Sequence, residues 1–386
     1  MPVAPTKASM LFDTVVSSSS LHATSWLEAA GAVIAENQVL RVIADLADLP
    51  PGAGGCFVSG GSAANLSALM VGRDTAAARG LTTEHPKFAC SEEAHSSVGK
   101  ALHVLGLEPF VVPADGHRLT REALATALSS GRAGAADVVG VVATAGTTNA
   151  GLVDDLEGIA AIAAQRRLWF HVDAAYGGGA LFAPAARPLF KGIEHADSVV
   201  IDPHKWLFAP LDCAALLYRR PALAKAVHTQ DASYLDAIHD ALPGADTASA
   251  GEDGRDAEGP WNPSDYAYHL SRRARGLPLW FSLAVHGKAA YRRAVETVLE
   301  NTQQAASLIA ATPYLELVAE PTLSIVMFRR RGWQRADYEM WSERALREKV
   351  AFVTPTTWEG EPAARLALLH PDTTLEVVSE IVSTMA

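Results

Sequence analysis

An α/β domain on a mostly parallel sheet with helices on both faces, followed by a small C-terminal α+β domain, is the fold this sequence predicts. Three observations carry it. Between about residues 55 and 220, short apolar runs alternate with helical stretches, as in βαβ units whose strands are buried on both faces. From about 278 a long helical pattern runs to 311 and leads into a compact unit of about 100 residues. The 386 residues are 49% hydrophobic and 19% charged, a balance that supplies a core and excludes a disordered chain.

The elements follow in order. Ser25-Trp26-Leu27-Glu28 fits a capping box, and apolar residues recur at helical spacing from there to Leu49, where Pro50-Pro51-Gly52 stops the helix. Strands are predicted at 56–58, 87–90, 110–112, 138–143, 168–172, 198–201 and 214–218, with helices at 63–79, 94–105, 120–129 and 155–166. Residues 236–262 are rich in Ala, Gly and carboxylates and lack apolar periodicity. They read as a mobile active-site loop or a disordered insert. After the long helix come strands at 315–318, 323–328, 351–354 and 364–369, with helices at 337–349 and 373–385. The chain thus divides into an N-terminal helical arm (1–50), a large domain (51–285) and a small C-terminal domain (286–386).

Composition narrows the function. With 32 Lys and Arg against 43 Asp and Glu the net charge is −11, which repels phosphate backbones, so no nucleic acid is expected as partner. The only dense basic stretches, Arg272, Arg273, Arg275 and Arg329, Arg330, Arg331, read as a solvated helix face or a strand end. Cys56, Cys90 and Cys213 lie far apart without a CxxC and read as buried free thiols; no metal is expected. No apolar run approaches the roughly 18 residues of a membrane span, and the N-terminus lacks a signal pattern, so a cytoplasmic protein is expected.

Ligands of open parallel sheets bind at the carboxyl ends of the strands. The first predicted strand is followed by Ser59-Gly60-Gly61-Ser62-Ala63-Ala64-Asn65 and a helix. Glycines and free helix N–H groups make a phosphate cradle. The same turn is one residue short of GxSxG, with Ala64 at the last Gly, so a helix cap and a nucleophile elbow at Ser62 stay open beside the cradle. His95 follows the second strand, and Thr144-Ala145-Gly146-Thr147-Thr148-Asn149 the fourth. Asp173 ends the strand LWFHV, where a carboxylate needs a partner. Asp202-Pro203-His204-Lys205-Trp206 places a lysine at another strand end, where burial favours its nucleophilic free amine. A buried Asp173–Lys205 ion pair is the bland alternative. Together, a phosphate cradle, a strand-end Asp and a strand-end Lys some 30 residues later are what pyridoxal phosphate needs.

The motifs Ser59-Gly-Gly-Ser-Ala-Ala-Asn, Ala94-His95-Ser96-Ser97, Ala143-Thr-Ala-Gly-Thr-Thr148, His171-Val-Asp-Ala-Ala-Tyr176 and Asp202-Pro-His-Lys-Trp206 resemble those of the group II pyridoxal-phosphate decarboxylases. That family includes the aromatic amino acid, histidine and glutamate decarboxylases. The likeness extends over about residues 25 to 385. It implies the type I, aspartate-aminotransferase-like fold, with residues 51–285 as the cofactor-binding domain, and a homodimer with active sites at the subunit interface. Lys205 would carry pyridoxal 5'-phosphate as a Schiff base, and Asp173 would pair with the ring nitrogen. His95 would stack on one ring face, and Ala175 would pack on the other. Gly61, Ser62, Asp202 and His204 would serve the phosphate or the lysine region, with Thr147 beside the ring. Arg365 is similar to an arginine that meets a substrate carboxylate.

The implied reaction is decarboxylation of an L-amino acid, aromatic favoured, to an amine and CO2. Two departures stand out. Many relatives carry several dozen more N-terminal residues, and many have Asn where this chain has Asp202. In related enzymes a loop tyrosine delivers a proton to Cα across the dimer. Here no Tyr or Phe lies between Tyr234 and Trp261, so Tyr266, Tyr268, His204 or water is expected to take that role, Tyr266 first. The unusual loop keeps open an aldehyde synthase or a carbon–carbon lyase. An α/β-hydrolase on Ser62 and a non-catalytic binding protein are further alternatives.

Overall fold

A computed structural model describes residues 3–232, 235 and 261–386. The predicted loop is named as 236–262; all of it but Trp261 and Asn262 lies outside the described residues.

The two first helices are α1 (Lys7–Ser19) and α2 (Trp26–Leu46). The Ser25 cap before α2 forms: its hydroxyl accepts the Glu28 N–H at 3.3 Å and donates to the Glu28 carboxylate at 2.8 Å, so the return bond of the expected capping box comes from the hydroxyl and not from the Ser25 N–H. The helix ends at Leu46, ahead of the prolines. Asp48 turns left-handed (φ 51°) and the Leu49 N–H closes back on the Ala44 carbonyl at 3.0 Å, so a C-terminal cap stops it before Pro50 can.

The large sheet holds β1 (Gly54–Val58), β2 (Lys87–Ser91), β3 (Glu108–Val112), β4 (Val138–Thr144), β5 (Trp169–Asp173), β6 (Ser198–Ile201) and β7 (Ala214–Tyr218) in the spatial order β1-β7-β6-β5-β4-β2-β3. Strands β2 to β6 pair parallel with one another, and β7 is antiparallel to both β6 and β1. All strands but β7 therefore direct their carboxyl ends to one edge. The strands are apolar because both faces are covered: all seven residues of β4 are buried. On one face α3 (Gly61–Ala78), α4 (Ser96–Val104) and α8 (Pro221–His228) pack on Val142, Trp169 and Leu216. On the other, α2, α5 (Arg121–Ser129) and α6 (Leu156–Arg166) pack on Val141, Phe170 and Val172. Between them, α7 (Pro203–Trp206) is a single turn after β6.

Helix α9 (Leu277–Ala311) breaks its helical backbone at Gly287 (φ 76°) and leads to the smaller unit. There β8 (Leu315–Ala319), β9 (Ile325–Arg330), β10 (Thr356–Trp358) and β11 (Glu361–Ala367) form an antiparallel sheet beside α10 (Arg335–Arg347) and α11 (Leu375–Ser383). The strand expected at 351–354 is not one. Its residues join no ladder, and β10 starts directly after Pro355, which has no N–H to pair. Glu359 (φ 51°) and Gly360 (φ 80°) then make the two-residue hairpin turn into β11.

Arg272 corrects the solvated reading of its basic stretch. It is buried, and its guanidinium donates to the Glu36 carboxylate at 2.9 Å and to the Ala23 carbonyl at 2.7 Å. Glu36 also accepts the Gly276 N–H at the start of α9. Removing one partner of a buried pair strands the other, so Arg272→Met is expected to cost about 3–5 kcal/mol of stability. A denaturant midpoint equal to the parent's would contradict that. Neighbouring Arg273 and Arg275 pair with Asp13 and Asp212. The three cysteines are buried and free, as the sequence suggested. Among the described residues no helix is long and apolar enough to cross a membrane.

Candidate active site

The carboxyl ends of β1, β4, β5 and β6 open on one cavity of about 270 Å³. Each end contributes by the same logic: an apolar strand that stops, and a short polar turn. From β1 come Ser59, Gly60, Gly61 and Ser62, at the start of α3. Gly60 offers α3 no side-chain cap and the first turn carries no acid of its own, while Asp202, just after β6, takes the Gly61 N–H, so part of the positive end of the helix is left for a ligand. A Cβ on Gly61 would sit 3.1 Å from the Asp202 carboxylate and 3.2 Å from the Ala175 methyl, so this floor admits only glycine without rearrangement. The Ser62 hydroxyl has no histidine partner among the described residues, which leaves a nucleophile elbow without its base.

Lys205 reaches the cavity from α7, with Nζ 3.1 Å from Asp202 Oδ2. The bland Asp173–Lys205 pair is therefore not formed. Asp202 is buried, accepts the Gly61 N–H at 3.2 Å, and lies 3.6 Å from His204 Nε2. Burial raises its pKa, against the pull of the Lys205 and His204 charges. Its other oxygen, Oδ1, has no partner. His204 is held by the Cys213 carbonyl, 2.7 Å from Nδ1.

Asp173, at the end of β5, accepts from the Asn65 amide at 2.9 Å and the Ala175 N–H at 3.1 Å. His95 caps α4, lines the cavity, and has Nδ1 2.8 Å from the Ser97 hydroxyl. Ala175 lines the same cavity.

Three expected residues stand elsewhere. Thr147 is buried in the turn after β4, its hydroxyl accepting the Leu152 N–H at 3.1 Å, and is not part of the cavity wall. Thr144 and Thr148 are, and the Thr144 hydroxyl is buried without a partner. The strand end faces the ligand space together with Gly146 and Thr148 of the turn after it, while Thr147 turns away. Arg365 stays at the edge, donating to the Thr148 carbonyl. Tyr266 is packed 4.2 Å from the Trp261 ring and does not line this chain's cavity; burial pushes its pKa far up. Asn65 and Ser97 are buried wall residues that the motifs contained but for which the sequence suggested no role. Their signal was available: a polar side chain one turn into a helix facing an apolar sheet needs a partner there.

The model of the pyridoxal-dependent decarboxylase conserved domain matches residues 1–331. The chain belongs to that family. Its members are amino-acid carboxy-lyases that use pyridoxal phosphate. The chain is 33% identical over 384 residues to L-2,4-diaminobutyrate decarboxylase of Rhizobium meliloti (strain 1021), covering 96% of this chain and 72% of that one. It is 30% identical over 380 residues to aromatic-L-amino-acid decarboxylase of Bacillus atrophaeus, covering 96% and 76%. The fold matches the crystal structure of Oryza sativa TDC with PLP and tryptamine at a TM-score of 0.86 and 24% identity, over 99% of this chain and 81% of that one.

The cavity fits the family's cofactor on its own terms. The start of α3 with its glycine floor suits a phosphate. Asp173, supplied with two N–H donors, suits a cationic ring nitrogen. Lys205 is the one amine of the wall among the described residues, and the orphaned Thr144 hydroxyl and Asp202 Oδ1 await a polar partner.

Proposed function

We propose that this decarboxylase acts on an aromatic L-amino acid, releasing CO2 and the amine, as a homodimer. The observation that carries the reaction is the convergence of Lys205, Asp173 and His95 on one cavity at the sheet edge. Bound pyridoxal phosphate supplies a sink for the electron pair left behind as CO2 departs.

The chain's residues do the rest. Lys205 would hold the cofactor covalently, with Asp202 3.1 Å from its Nζ as the counter-ion of the free ammonium. Asp173 would meet the ring nitrogen, His95 and Ala175 would pack on the ring, and Gly61 and Ser62 would hold the phosphate. His204, at Nε2, is placed to hold or pass a proton within this chain, a role Tyr266 cannot take there because it is packed on Trp261. Arg365 guards the cavity mouth through Thr148 and is our choice to meet the substrate carboxylate.

Two points support an aromatic side chain. A relative acts on aromatic amino acids. The described wall holds no carboxylate beyond Asp173 and Asp202, and Asp202 already pairs with the Lys205 ammonium, so a second ammonium such as that of 2,4-diaminobutyrate would have to share that counter-ion. Trp206 is buried against Tyr176 and contributes only support. Measuring CO2 and amine from a panel of amino acids tests the reading. Faster release from 2,4-diaminobutyrate than from tryptophan, tyrosine or their hydroxylated forms would overturn the aromatic choice. Aldehyde with ammonia and peroxide would overturn the amine product, and a fully active monomer in sedimentation would reject the dimer.

A further inference from the structure

Behind the cavity runs a closed line of buried polar side chains. Trp169, His171 and Asp173 are alternate residues of β5, so all three face α3. Ser198 of β6 lies opposite His171 in register. The Trp169 indole donates to the Ser198 hydroxyl at 3.1 Å, and that hydroxyl lies 2.8 Å from His171 Nδ1. His171 Nε2 is 2.9 Å from the Asn65 amide oxygen. The Asn65 nitrogen donates twice, at 2.9 Å to Asp173 and at 2.9 Å to the Ser97 hydroxyl, which in turn reaches His95 Nδ1.

The ends of this line settle its direction. The Trp169 N–H can only donate, and an ionised Asp173 can only accept. The Asn65 nitrogen must therefore face Asp173, and its oxygen must receive a proton from His171 Nε2. His171 is neutral, since burial lowers its pKa to about 4, so its Nδ1 accepts from Ser198, whose oxygen stays free for Trp169. Turning the Asn65 amide over would set its oxygen against the Asp173 carboxylate and leave the Ser198 hydroxyl without an acceptor. One arrangement satisfies every member.

We propose that Asn65 is a positioning residue that fixes the Asp173 carboxylate in place and, through Ser97, fixes the His95 tautomer. The amide cannot turn without breaking its bond to His171 and setting its oxygen against Asp173. On the other branch, the second Asn65 N–H occupies Ser97 Oγ, so the Ser97 hydroxyl donates to His95 Nδ1. The Ser97 N–H also points at that nitrogen, 3.2 Å away. His95 then carries its own proton on Nε2. One amide thus sets the place of the carboxylate and the orientation of the imidazole.

This inference rests on the assignment of Asp173 to the cofactor, and its test separates the two. In cofactor-free protein, nitrogen NMR of labelled histidines should show His95 protonated on Nε2. In Asn65→Leu, which keeps the volume, that tautomer signature should be lost. The reconstituted Asn65→Leu protein should bind pyridoxal phosphate roughly tenfold more weakly, and the pH at which the bound cofactor's absorbance changes should move by about one unit, with kcat falling more than KM. Ser198→Ala, one strand away from the cavity, should move the same absorbance transition in the same direction by less. Should Asn65→Leu fail to fold, Ser198→Ala decides. A parental His95 tautomer with a parental absorbance transition in the folded variant overturns the positioning role. Loss of the NMR signature with unchanged cofactor binding overturns only the link to Asp173.

Discussion

Lys205→Ala is expected to lose covalent cofactor attachment and to lower turnover by roughly four orders of magnitude or more, about 5 kcal/mol of barrier. Lys205 is the one amine on the cavity wall among the described residues, so no neighbour can take over the attachment. The fold should survive. Lys205 sits on a single helical turn anchored by buried Pro203, His204 and Trp206, and its own side chain is partly exposed at 25%. Removing it leaves Asp202 buried with one charge partner fewer, and that carboxylate can answer by taking up a proton, since its pKa is already raised. The check is borohydride treatment followed by peptide mass. The parent should carry a reduced pyridoxyl group on the peptide containing Lys205, and the variant none. A folded Lys205→Ala protein with parental turnover would falsify the proposed site.

The second large effect belongs to Asp173→Asn. The variant should still attach the cofactor to Lys205 but lose two to three orders of magnitude in kcat/KM, about 3–4 kcal/mol. The amide removes the negative charge beside the ring nitrogen. It also meets two donors, the Asn65 amide at 2.9 Å and the Ala175 N–H at 3.1 Å, with only one accepting oxygen. One donor is then set against another in a buried site, a cost of its own. Asp173→Glu should do little better, because the longer side chain cannot keep both contacts. An Asp173→Asn enzyme with intact attachment and an unchanged rate would remove Asp173 from the mechanism.

The sheet was readable because its strands are buried on both faces: all seven predicted apolar runs became strands, with ends moved by two residues or fewer. The error at 351–354 came from the same signal without a partner strand, since an apolar run is not a ladder until a neighbour supplies hydrogen bonds. Thr147 stands off the wall for a related reason. Spacing identified the turn after β4, but which of its residues face the ligand depends on how the turn folds under its own bonds to Leu152.

The sequence by itself determined the α/β class, the strand-end positions of Lys205, Asp173 and His95, and the family, because strand burial and short motifs are local in the chain. Only the tertiary structure decided the partners. It set Lys205 on Asp202 instead of Asp173, buried Arg272 against Glu36 across more than 200 residues, and packed Tyr266 on Trp261. It also joined Asn65, from α3, to Asp173 and His171, from β5. For Arg272 and Asn65 the physical reason is the same. A buried polar group is satisfied by whichever donor or acceptor the packing of separate elements brings within about 3 Å, and no sequence spacing encodes that distance.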